Sequence, residues 1–267
     1  MQTKAVIGLP IEHDSARMHV QGGAQYIDDI PEPNGTLHVA FALSNVAHGK
    51  IKSVDVNAAQ EAEGVHSVLI AEEIENLLIG PILHDEPILA FNEVLFYGQA
   101  IAAVLADSHD LAKKAALLVT AEVEELKPIV TIDEAMENKS FLDDPIIVST
   151  GDSKKAIKNA RNRLTGSLSI GGQEHYYLEG QVAMSIPTED DEMIIHSSTQ
   201  NPTEVQHLAA HVLNVPQNAI EVVTRRMGGG LAEKKQTLHS WLAFALSSLK
   251  KQKNQLKQDY PEKTIFF

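Results

Sequence analysis

The feature that most constrains the fold of this sequence is a well-delimited helix between two strand-like segments. Asn201 can cap the helix, Pro202 suits its first position and Asn214 can end it. The segments 193–197 and 219–224 on either side are rich in apolar residues, as buried strands are. A strand, a helix and a second strand in this order predict layered α/β structure. The predicted buried face of the helix consists of Val205, Leu208, Ala209, Val212 and Leu213.

The same order of elements occurs earlier in the sequence. Ser108 is a suitable N-cap, and apolar residues at helical spacing follow it. Segment 36–43 alternates apolar and polar residues, which is typical of a half-buried strand. We therefore predict one α/β layer domain over residues 18–128. Its predicted strands are 36–43, 51–56, 65–70, 93–97, 100–106 and 118–124.

A second group of predicted elements follows a connection of different composition. Residues 128–145 are acidic, and we predict that they form an irregular link between domains. Beyond Gly151 we predict a basic helix over 154–162 and an alternating strand over 164–170. The further strands predicted before the capped helix are 182–186 and 193–197.

Composition excludes several classes of protein. The 267 residues suffice for two domains, and a net charge of -14 at pH 7 argues against a nucleic-acid binder, which needs a basic face. The absence of cysteine excludes disulfides, cysteine-ligated zinc and cysteine-ligated iron–sulfur clusters within this sequence. The sequence has no signal-peptide pattern at its start and no uncharged apolar run of about 18 residues. We therefore expect a cytoplasmic protein without a membrane span.

Charge is distributed unevenly along the sequence. Residues 1–230 carry 15 basic and 33 acidic side chains, whereas residues 231–267 carry 7 basic and 3 acidic ones. The sequence therefore changes character after Gly230. Within the second stretch, residues 238–249 predict an amphipathic helix that is too short to cross a bilayer.

The stretch 171–181 holds the densest group of polar and aromatic residues between apolar segments. Gly171 and Gly172 let another group approach the backbone closely, because they have no Cβ. Gln173 then offers an amide that both donates and accepts hydrogen bonds. An acidic residue, a histidine, two tyrosines and Glu179 follow. The alternative interpretation is a loop that enters a strand, with these side chains satisfied in a core.

Two further patterns carry weaker signals. His207 and His211 are four residues apart, a spacing that can chelate a metal, but Leu208 stands where zinc proteases have glutamate. We therefore expect a solvated helix face. The three glycines 228–230 follow a predicted strand and could bind an anion through backbone N–H groups, although they match neither a P-loop nor a dinucleotide motif.

Three segments together resemble the molybdopterin-binding large subunit of the aldehyde oxidase/xanthine dehydrogenase family. They are Gly-Gly-Gln-Glu-His-Tyr-Tyr-Leu-Glu at 171–179, Ser-Ser-Thr-Gln-Asn-Pro-Thr-Glu-Val-Gln at 197–206, and Arg-Met-Gly-Gly-Gly at 226–230. Earlier segments, such as Gly-Gln-Ala-Ile-Ala-Ala-Val at 98–104, resemble the α/β hammerhead domain of the family. The resemblance covers about residues 8–230. It implies an α+β fold, in which the hammerhead domain precedes the truncated start of a molybdopterin-binding domain.

The resemblance implies a molybdenum–molybdopterin cofactor and hydroxylation of purines with oxygen from water. Electrons would pass to a small partner subunit with [2Fe-2S] clusters and FAD, and then to NAD, so that the intact protein is a hetero-oligomer. The pterin dithiolene holds the metal in this family, which agrees with the absence of cysteine. Gln173 matches the catalytic glutamine whose amide hydrogen-bonds an oxygen ligand of molybdenum. The positions implied to bind the cofactor are Gly171, Gly172, Gln173, Met227, Gly228, Gly229 and Gly230.

The sequence departs from the family pattern directly after Gly230. The family continues Phe-Gly-Gly-Lys-Glu, whereas Leu231 begins Leu-Ala-Glu-Lys-Lys, so Lys235 stands in place of the substrate-orienting glutamate. Loss of one T from codons for the family sequence produces the sequence found here. We therefore predict that 231–267 is an out-of-frame tail, mobile or disordered, and that the rest of the large subunit is missing.

Two hypotheses of different class follow for the function. The first is a segment of a large subunit that hydroxylates hypoxanthine or xanthine to urate but is inactive by itself, with a related molybdenum aldehyde oxidoreductase as a variant. The second is a non-catalytic hammerhead module that docks an electron-transfer partner. The predicted organisation is an N-terminal extension (1–17), hammerhead domain (18–128), linker (129–150), start of the molybdopterin-binding domain (151–230) and out-of-frame tail (231–267).

Overall fold

Strands form most of the framework of the protein. The computed structural model describes residues 7–80, 83–173, 176, 178–189, 192–230 and 265–266. The strands of this part are β1 (Leu37–Leu43), β2 (Gly49–Asp55), β3 (Val65–Ile70), β4 (Leu78–Ile79), β5 (Glu86–Pro87), β6 (Glu93–Val94), β7 (Ala100–Ala106), β8 (Thr120–Glu125), β9 (Ala183–Pro187), β10 (Met193–Ser197), β11 (Ile220–Val223) and β12 (Ile265–Phe266). The α-helices are α1 (Ala16–Val20), α2 (Asn57–Gln60), α3 (His109–Ala116), α4 (Ile132–Asn138), α5 (Ser153–Asn159) and α6 (Pro202–Leu213).

Within the described residues the main sheet contains seven strands, in the order β11-β10-β9-β12-β1-β7-β3. β7 is antiparallel to both β1 and β3, and β9 is antiparallel to β10. β10 and β11 run parallel, which requires a crossover connection, and α6 lies in that connection. A three-stranded sheet, β6-β2-β8, and the pair β4-β5 are separate. The mixture of helices with largely antiparallel strands confirms the predicted α+β class.

Apolar packing covers both faces of β1. Val39 belongs to the large core cluster, which also contains Val205 and Ala209 of α6. Ala40 and Ala42 belong to a second cluster with the alanines of α3, whose small side chains allow the helix to approach the sheet closely. The prediction that segment 36–43 is half-buried is therefore wrong, because the sheet has a packed layer on each face.

Several predicted boundaries are confirmed. β3, β7 and β10 coincide with the predicted strands 65–70, 100–106 and 193–197. α3 begins after Ser108, whose hydroxyl accepts a hydrogen bond from the backbone N–H of Leu111 at 3.3 Å. These elements combine a strong apolar pattern with a clear capping residue, and local signals were sufficient to delimit them.

α6 has the caps that the sequence predicts. The Asn201 side-chain oxygen accepts a hydrogen bond from the Glu204 backbone N–H at 3.2 Å, and its amide donates to Glu204 Oε2 at 2.8 Å. At the other end Asn214 takes the left-handed conformation, with φ 56°, that asparagine tolerates. The inner face buries Val205, Ala209, Ala210 and Val212.

Replacing Asn201 with Ala should lower the free energy of unfolding by about 0.5–2 kcal/mol, because the helix loses its cap. Urea denaturation of the 267-residue chain measures the change. Thr203→Ala is the matched control, since Thr203 is exposed on the first turn and should change stability by less than about 0.5 kcal/mol. Equal losses in the two variants would show that the cap contributes nothing.

Three other predictions are wrong. Segment 164–170 contains no helix or strand and is exposed throughout, because an alternating pattern forms a strand only beside another strand. The predicted strand 93–97 shortens to β6, and Phe96 and Tyr97 are 57% and 72% exposed. The connection 128–145, predicted to be irregular, contains α4.

Residues 127–176 form a compact unit by themselves, and the rest of the chain forms the other unit. In the smaller unit the Thr131 hydroxyl accepts from Glu134 N at 3.2 Å, which begins α4. None of its described residues is buried. The helix predicted over 238–249 lies outside the described residues. No helix of the described part is long and apolar enough to span a bilayer.

Candidate functional site

The parallel strands β10 and β11 bring two loops to the same edge of the main sheet. Met193 pairs with Ile220 and His196 with Val223, so the two strands end side by side. The loop after β10 leads into α6, and residues 224–230 form the loop after β11. In α/β proteins, ligands commonly bind at the carboxyl ends of such strands.

Buried hydroxyl groups fix the loop after β10. Ser198 and Thr199 are 0% and 1% exposed. Ser198 Oγ accepts a hydrogen bond from Val182 N at 3.1 Å and donates one to the Gly180 carbonyl at 3.3 Å. Thr199 Oγ1 accepts from Asn201 N at 3.1 Å. The loop is thereby tied both to the segment before β9 and to the start of α6.

A buried carboxylate holds the loop after β11. Glu179 is 8% exposed, and its Oε2 accepts a hydrogen bond from the Gly228 N–H at 2.6 Å. The Glu179 backbone N–H donates in return to the Gly228 carbonyl, at an N···O distance of 3.5 Å. A hydrogen bond from a backbone N–H to a carboxylate is charge-assisted and stronger than a neutral one. We call this pair of contacts the Glu179–Gly228 clamp.

Position 228 has no room for a side chain. A Cβ added to Gly228 would lie 2.4 Å from Glu179 Cβ and 3.3 Å from Glu179 N. No real Cβ tolerates the first distance, so the loop or Glu179 would have to move. At Gly180, by contrast, an added Cβ meets nothing within 4 Å. The clamp therefore requires glycine at position 228 for steric reasons.

Replacing Gly228 with Ala should lower the free energy of unfolding by about 1–3 kcal/mol, as expected for overpacking. Gly180→Ala is the matched control and should leave stability unchanged or raise it slightly, because alanine restricts the unfolded chain. Thermal denaturation of both variants of the 267-residue chain makes the comparison. Equal stability of Gly228→Ala and Gly180→Ala would disprove the close approach of Glu179 to position 228.

The last glycines complete the loop. Gln200 Nε2 donates a hydrogen bond to the Gly230 carbonyl. The backbone N–H groups of Gly229 and Gly230 have no hydrogen-bond partner in the part of the chain that the structure describes. Met227 is 39% exposed. The loop thus combines a backbone position fixed by Glu179 with two N–H groups that are unpaired among the described residues.

Two neighbouring side chains define the surroundings of the loop. The Arg226 guanidinium donates to the Gln25 carbonyl at 3.3 Å and contacts Met18 Sδ at 3.2 Å. Burial lowers the pKa of His196, and the Glu221 carboxylate opposes this shift. Burial therefore disfavours the protonated form of His196. The nearest positive charge before the glycines in the sequence belongs to Arg226.

The residues predicted from the sequence divide between the two compact units. Met227, Gly228, Gly229 and Gly230 lie in the clamped loop of the larger unit. The remaining predicted site residues lie in the smaller unit, where they are exposed and belong to no helix or strand; they are Gly171, Gly172 and Gln173. An added Cβ on either of these glycines meets no described atom within 4 Å. The neighbours outside the described residues are Glu174, His175 and Tyr177.

The sequence alone predicts no role for Glu179 or for Gln200. Glu179 acts on a glycine 49 residues further along the chain, which no local pattern shows. The only local hint of a role for Glu179 is its position directly before Gly180 and shortly before a buried strand. His207 and His211 are both exposed, as predicted for a solvated helix face. No group of three potential metal ligands occurs among the residues that the structure describes.

Two family models match successive parts of the chain. The first describes the aldehyde oxidase and xanthine dehydrogenase a/b hammerhead domain and matches residues 21–127. The second describes a molybdopterin cofactor-binding domain and matches residues 134–263. The larger part of the chain is therefore accounted for by two domains of one enzyme family.

Similar proteins agree with these models. Xanthine dehydrogenase of Drosophila subobscura is 41% identical over 233 residues, which are 85% of this chain and 17% of the fly protein. Xanthine dehydrogenase/oxidase of Rattus norvegicus is 39% identical over 230 residues, covering 86% of this chain and 17% of the rat protein. The solved aldehyde oxidoreductase of Desulfovibrio gigas superposes with a TM-score of 0.76 at 25% identity, covering 95% of this chain and 29% of that one.

The chain spans about a sixth of the length of the curated relatives that it matches. Molybdopterin is the cofactor that the second family model names. The molybdopterin-binding model includes segments 171–179, 197–206 and 226–230, and the hammerhead model includes segment 98–104. The chain belongs to the aldehyde oxidase and xanthine dehydrogenase family, with its hammerhead domain followed by the start of its molybdopterin-binding domain.

Proposed function

We propose that this chain is a segment of a molybdenum hydroxylase large subunit, whose reaction converts hypoxanthine and xanthine to urate with oxygen from water. The observation that carries the proposal is the Glu179–Gly228 clamp, which fixes a glycine loop at the carboxyl ends of β10 and β11. Identity of 41% to a xanthine dehydrogenase supports purines as the substrates. The proposal places the protein in purine catabolism in the cytoplasm.

The groups offered by the glycine loop fit a polar, anionic cofactor. Gly229 and Gly230 supply backbone N–H groups that have no partner in the described part of the chain, and such groups favour anions. The steric limit at Gly228 keeps the loop backbone free of a side chain. By the family resemblance we propose cofactor-binding roles for Gly171, Gly172 and Gln173 of the smaller unit, and separately for Met227, Gly228, Gly229 and Gly230 of the larger unit.

This chain contributes orientation and fixed dipoles. Bound at the site, the molybdenum–molybdopterin group would supply the redox chemistry of the hydroxylation. Glu179 holds the loop so that its N–H dipoles are already oriented and need no rearrangement to stabilise negative charge. The Gln173 amide can donate a hydrogen bond to the cofactor while its oxygen accepts another.

Electron transfer requires a partner. The chain contains no cysteine that could ligate iron–sulfur clusters. We propose that [2Fe-2S] clusters and FAD of a partner subunit take the electrons and pass them to NAD. We also propose the domain limits 1–17, 18–128, 129–150, 151–230 and 231–267 given by the sequence.

The solved aldehyde oxidoreductase favours a second candidate, in which the same site oxidises aldehydes. Its 25% identity is well below the 41% of the fly xanthine dehydrogenase, so the purine reaction is the first choice. A non-catalytic hammerhead module is the third hypothesis and predicts no turnover of either substrate.

One assay separates the three candidates. The reading frame after Gly230 is restored, which gives a longer protein that we call the in-frame large subunit. It is produced together with its iron–sulfur/FAD partner. The rates of xanthine and benzaldehyde oxidation are then measured with NAD as electron acceptor. We expect urate from xanthine at the higher kcat/KM. A higher kcat/KM for benzaldehyde would favour the aldehyde reaction, and a folded complex inactive on both would favour the binding module.

A further inference from the structure

Residues 16–25, which we call the α1 segment, precede the first strand and have little apolar packing of their own. The segment contains α1, and none of its residues is buried. The Gly23 N–H donates a hydrogen bond to the Met18 carbonyl at 2.9 Å, which closes the turn after α1. A helix of this length is marginal by itself, because few hydrogen bonds offset the cost of ordering it. The order of the α1 segment therefore depends on contacts with other parts of the chain.

One side chain of the glycine loop, residues 224–230, reaches the α1 segment at two points. Arg226 Nη1 donates a hydrogen bond to the Gln25 carbonyl at 3.3 Å, and Arg226 Nη2 lies 3.2 Å from Met18 Sδ. One of these partners belongs to α1, and the other lies beyond its closing turn. A guanidinium carries its donors in a rigid planar fork, whereas lysine has a single nitrogen. Arginine is therefore suited to this double contact.

Arg226 is not a freely solvated cation. Its Nε is buried and has no hydrogen-bond partner in the described part of the chain. Burial of an unpaired donor costs free energy, so the contacts of the rest of the side chain must offset that cost. The neighbouring Arg225 is exposed. The two adjacent arginines therefore provide a matched comparison between a packed and a solvated guanidinium.

The two contacts connect segments that belong to different domains. Gln25 lies in the part of the chain that the hammerhead model matches, and Arg226 lies in the part that the molybdopterin-binding model matches. Both residues belong to the larger compact unit. Shortly after Arg226, the Gly228 N–H is held by Glu179. The glycine loop thus has one attachment within its own domain and another to the α1 segment.

We propose that Arg226 is a positioning residue that couples the α1 segment to the glycine loop, so that each keeps the other ordered. Coupling between two sites is reciprocal, because both share the same interaction free energy. The benefit to the cofactor rests on the proposed function, in which the glycine loop binds molybdopterin. There, an ordered loop presents its N–H dipoles without rearrangement.

The first test removes the guanidinium in the 267-residue chain. Arg226→Met keeps an unbranched stem without donors, and Arg225→Met is the matched control. Amide hydrogen exchange of Gly23 and Gly228, followed by NMR, should be about tenfold faster in Arg226→Met, as expected when a hydrogen bond to a charged group is lost. Exchange should be unchanged in Arg225→Met. No change, faster exchange of only one of the two amides, or equal effects in the two variants would overturn the coupling.

The second test strengthens the contact from the side of α1. Met18→Glu places a carboxylate near the guanidinium, and Met18→Gln is the neutral variant of the same size. Exchange of the Gly228 amide should be about two- to fivefold slower in Met18→Glu than in Met18→Gln, as expected for a partly exposed ion pair. The difference should disappear when Arg226→Met is also present, since the carboxylate then has no partner.

A side chain that only packs would not produce this dependence on charge. Equal exchange of Gly228 in the two Met18 variants, or a difference that persists without the guanidinium of Arg226, contradicts the proposal. The comparison of the Met18 variants decides by itself if Arg226→Met does not fold.

The third test asks whether the coupling serves the cofactor. In the in-frame large subunit, Arg226→Met should be folded by circular dichroism but lose most of its molybdenum, whereas Arg225→Met should keep it. Arg226→Lys keeps the positive charge but cannot make both contacts, so it should also lose most of the metal. Full molybdenum in either Arg226 variant would overturn the positioning role. The first two tests use neither cofactor nor substrate, so their outcome is independent of the hydroxylation assay.

Discussion

The 267-residue chain, purified and mixed with molybdenum cofactor, should form no urate from xanthine above the uncatalysed background. By the family resemblance, Lys235 takes the position of a substrate-orienting glutamate, and the chain spans about a sixth of the length of its curated relatives. General acid–base catalysis alone typically contributes about 10²–10⁴-fold. The 267-residue chain also has none of the contacts that the remaining length of its relatives could supply. Absorbance of urate in the presence of an artificial electron acceptor measures the rate.

The in-frame large subunit with its partner is the positive control for this result, and it should be active. Lys235→Glu in the 267-residue chain is the matched variant, and it should remain inactive because one side chain cannot supply the contacts of a subunit about six times as long. Urate production by the unmodified chain would contradict the assignment of this chain as an inactive segment.

Gln173→Ala in the in-frame large subunit should lower kcat about 10²-fold or more at full molybdenum loading. The reason is that an oriented amide donor at a site of developing charge resembles an oxyanion-hole donor, whose removal has an effect of that size. Steady-state oxidation of xanthine measures kcat, and metal analysis of the same samples measures loading. Stability should change little, because Gln173 is exposed.

Gln217→Ala is the control for this variant, since Gln217 is also an exposed glutamine but lies in the turn before β11. Its kcat should equal that of the unmodified subunit. An unchanged kcat for Gln173→Ala at full loading would show that the role implied by the family resemblance is wrong. A loss of molybdenum together with kcat would assign Gln173 to binding of the cofactor.

Elements with complete local signals could be predicted from the sequence. α6 has a capping asparagine, a proline at its first position and a left-handed asparagine at its end, and the structure has all three. The boundaries of β3 and β7 follow from short apolar runs beside glycine and serine. α4 was missed although Thr131 and Glu134 form the usual start signal, because the acidic composition of the segment suggested an irregular connection.

Elements that depend on distant partners could not be predicted. Segment 164–170 has the alternating pattern of a strand, yet it forms no strand. Whether such a segment becomes a strand depends on pairing with another strand. The clamp joins Glu179 and Gly228 across 49 residues. Its steric requirement for glycine follows from the folded chain, in which a Cβ added at Gly228 would lie 2.4 Å from Glu179 Cβ. The glycine triplet was recognised, but the group that holds it was not.

The most direct test of the account is the molybdenum content of the in-frame large subunit and of two Glu179 variants, each shown to be folded by circular dichroism. The unmodified subunit should bind about one molybdenum per chain. Glu179→Gln keeps an acceptor for the Gly228 N–H and should retain most of the metal, whereas Glu179→Ala removes the acceptor and should lose most of it. Full molybdenum in folded Glu179→Ala would contradict the claim that this clamp builds the cofactor loop.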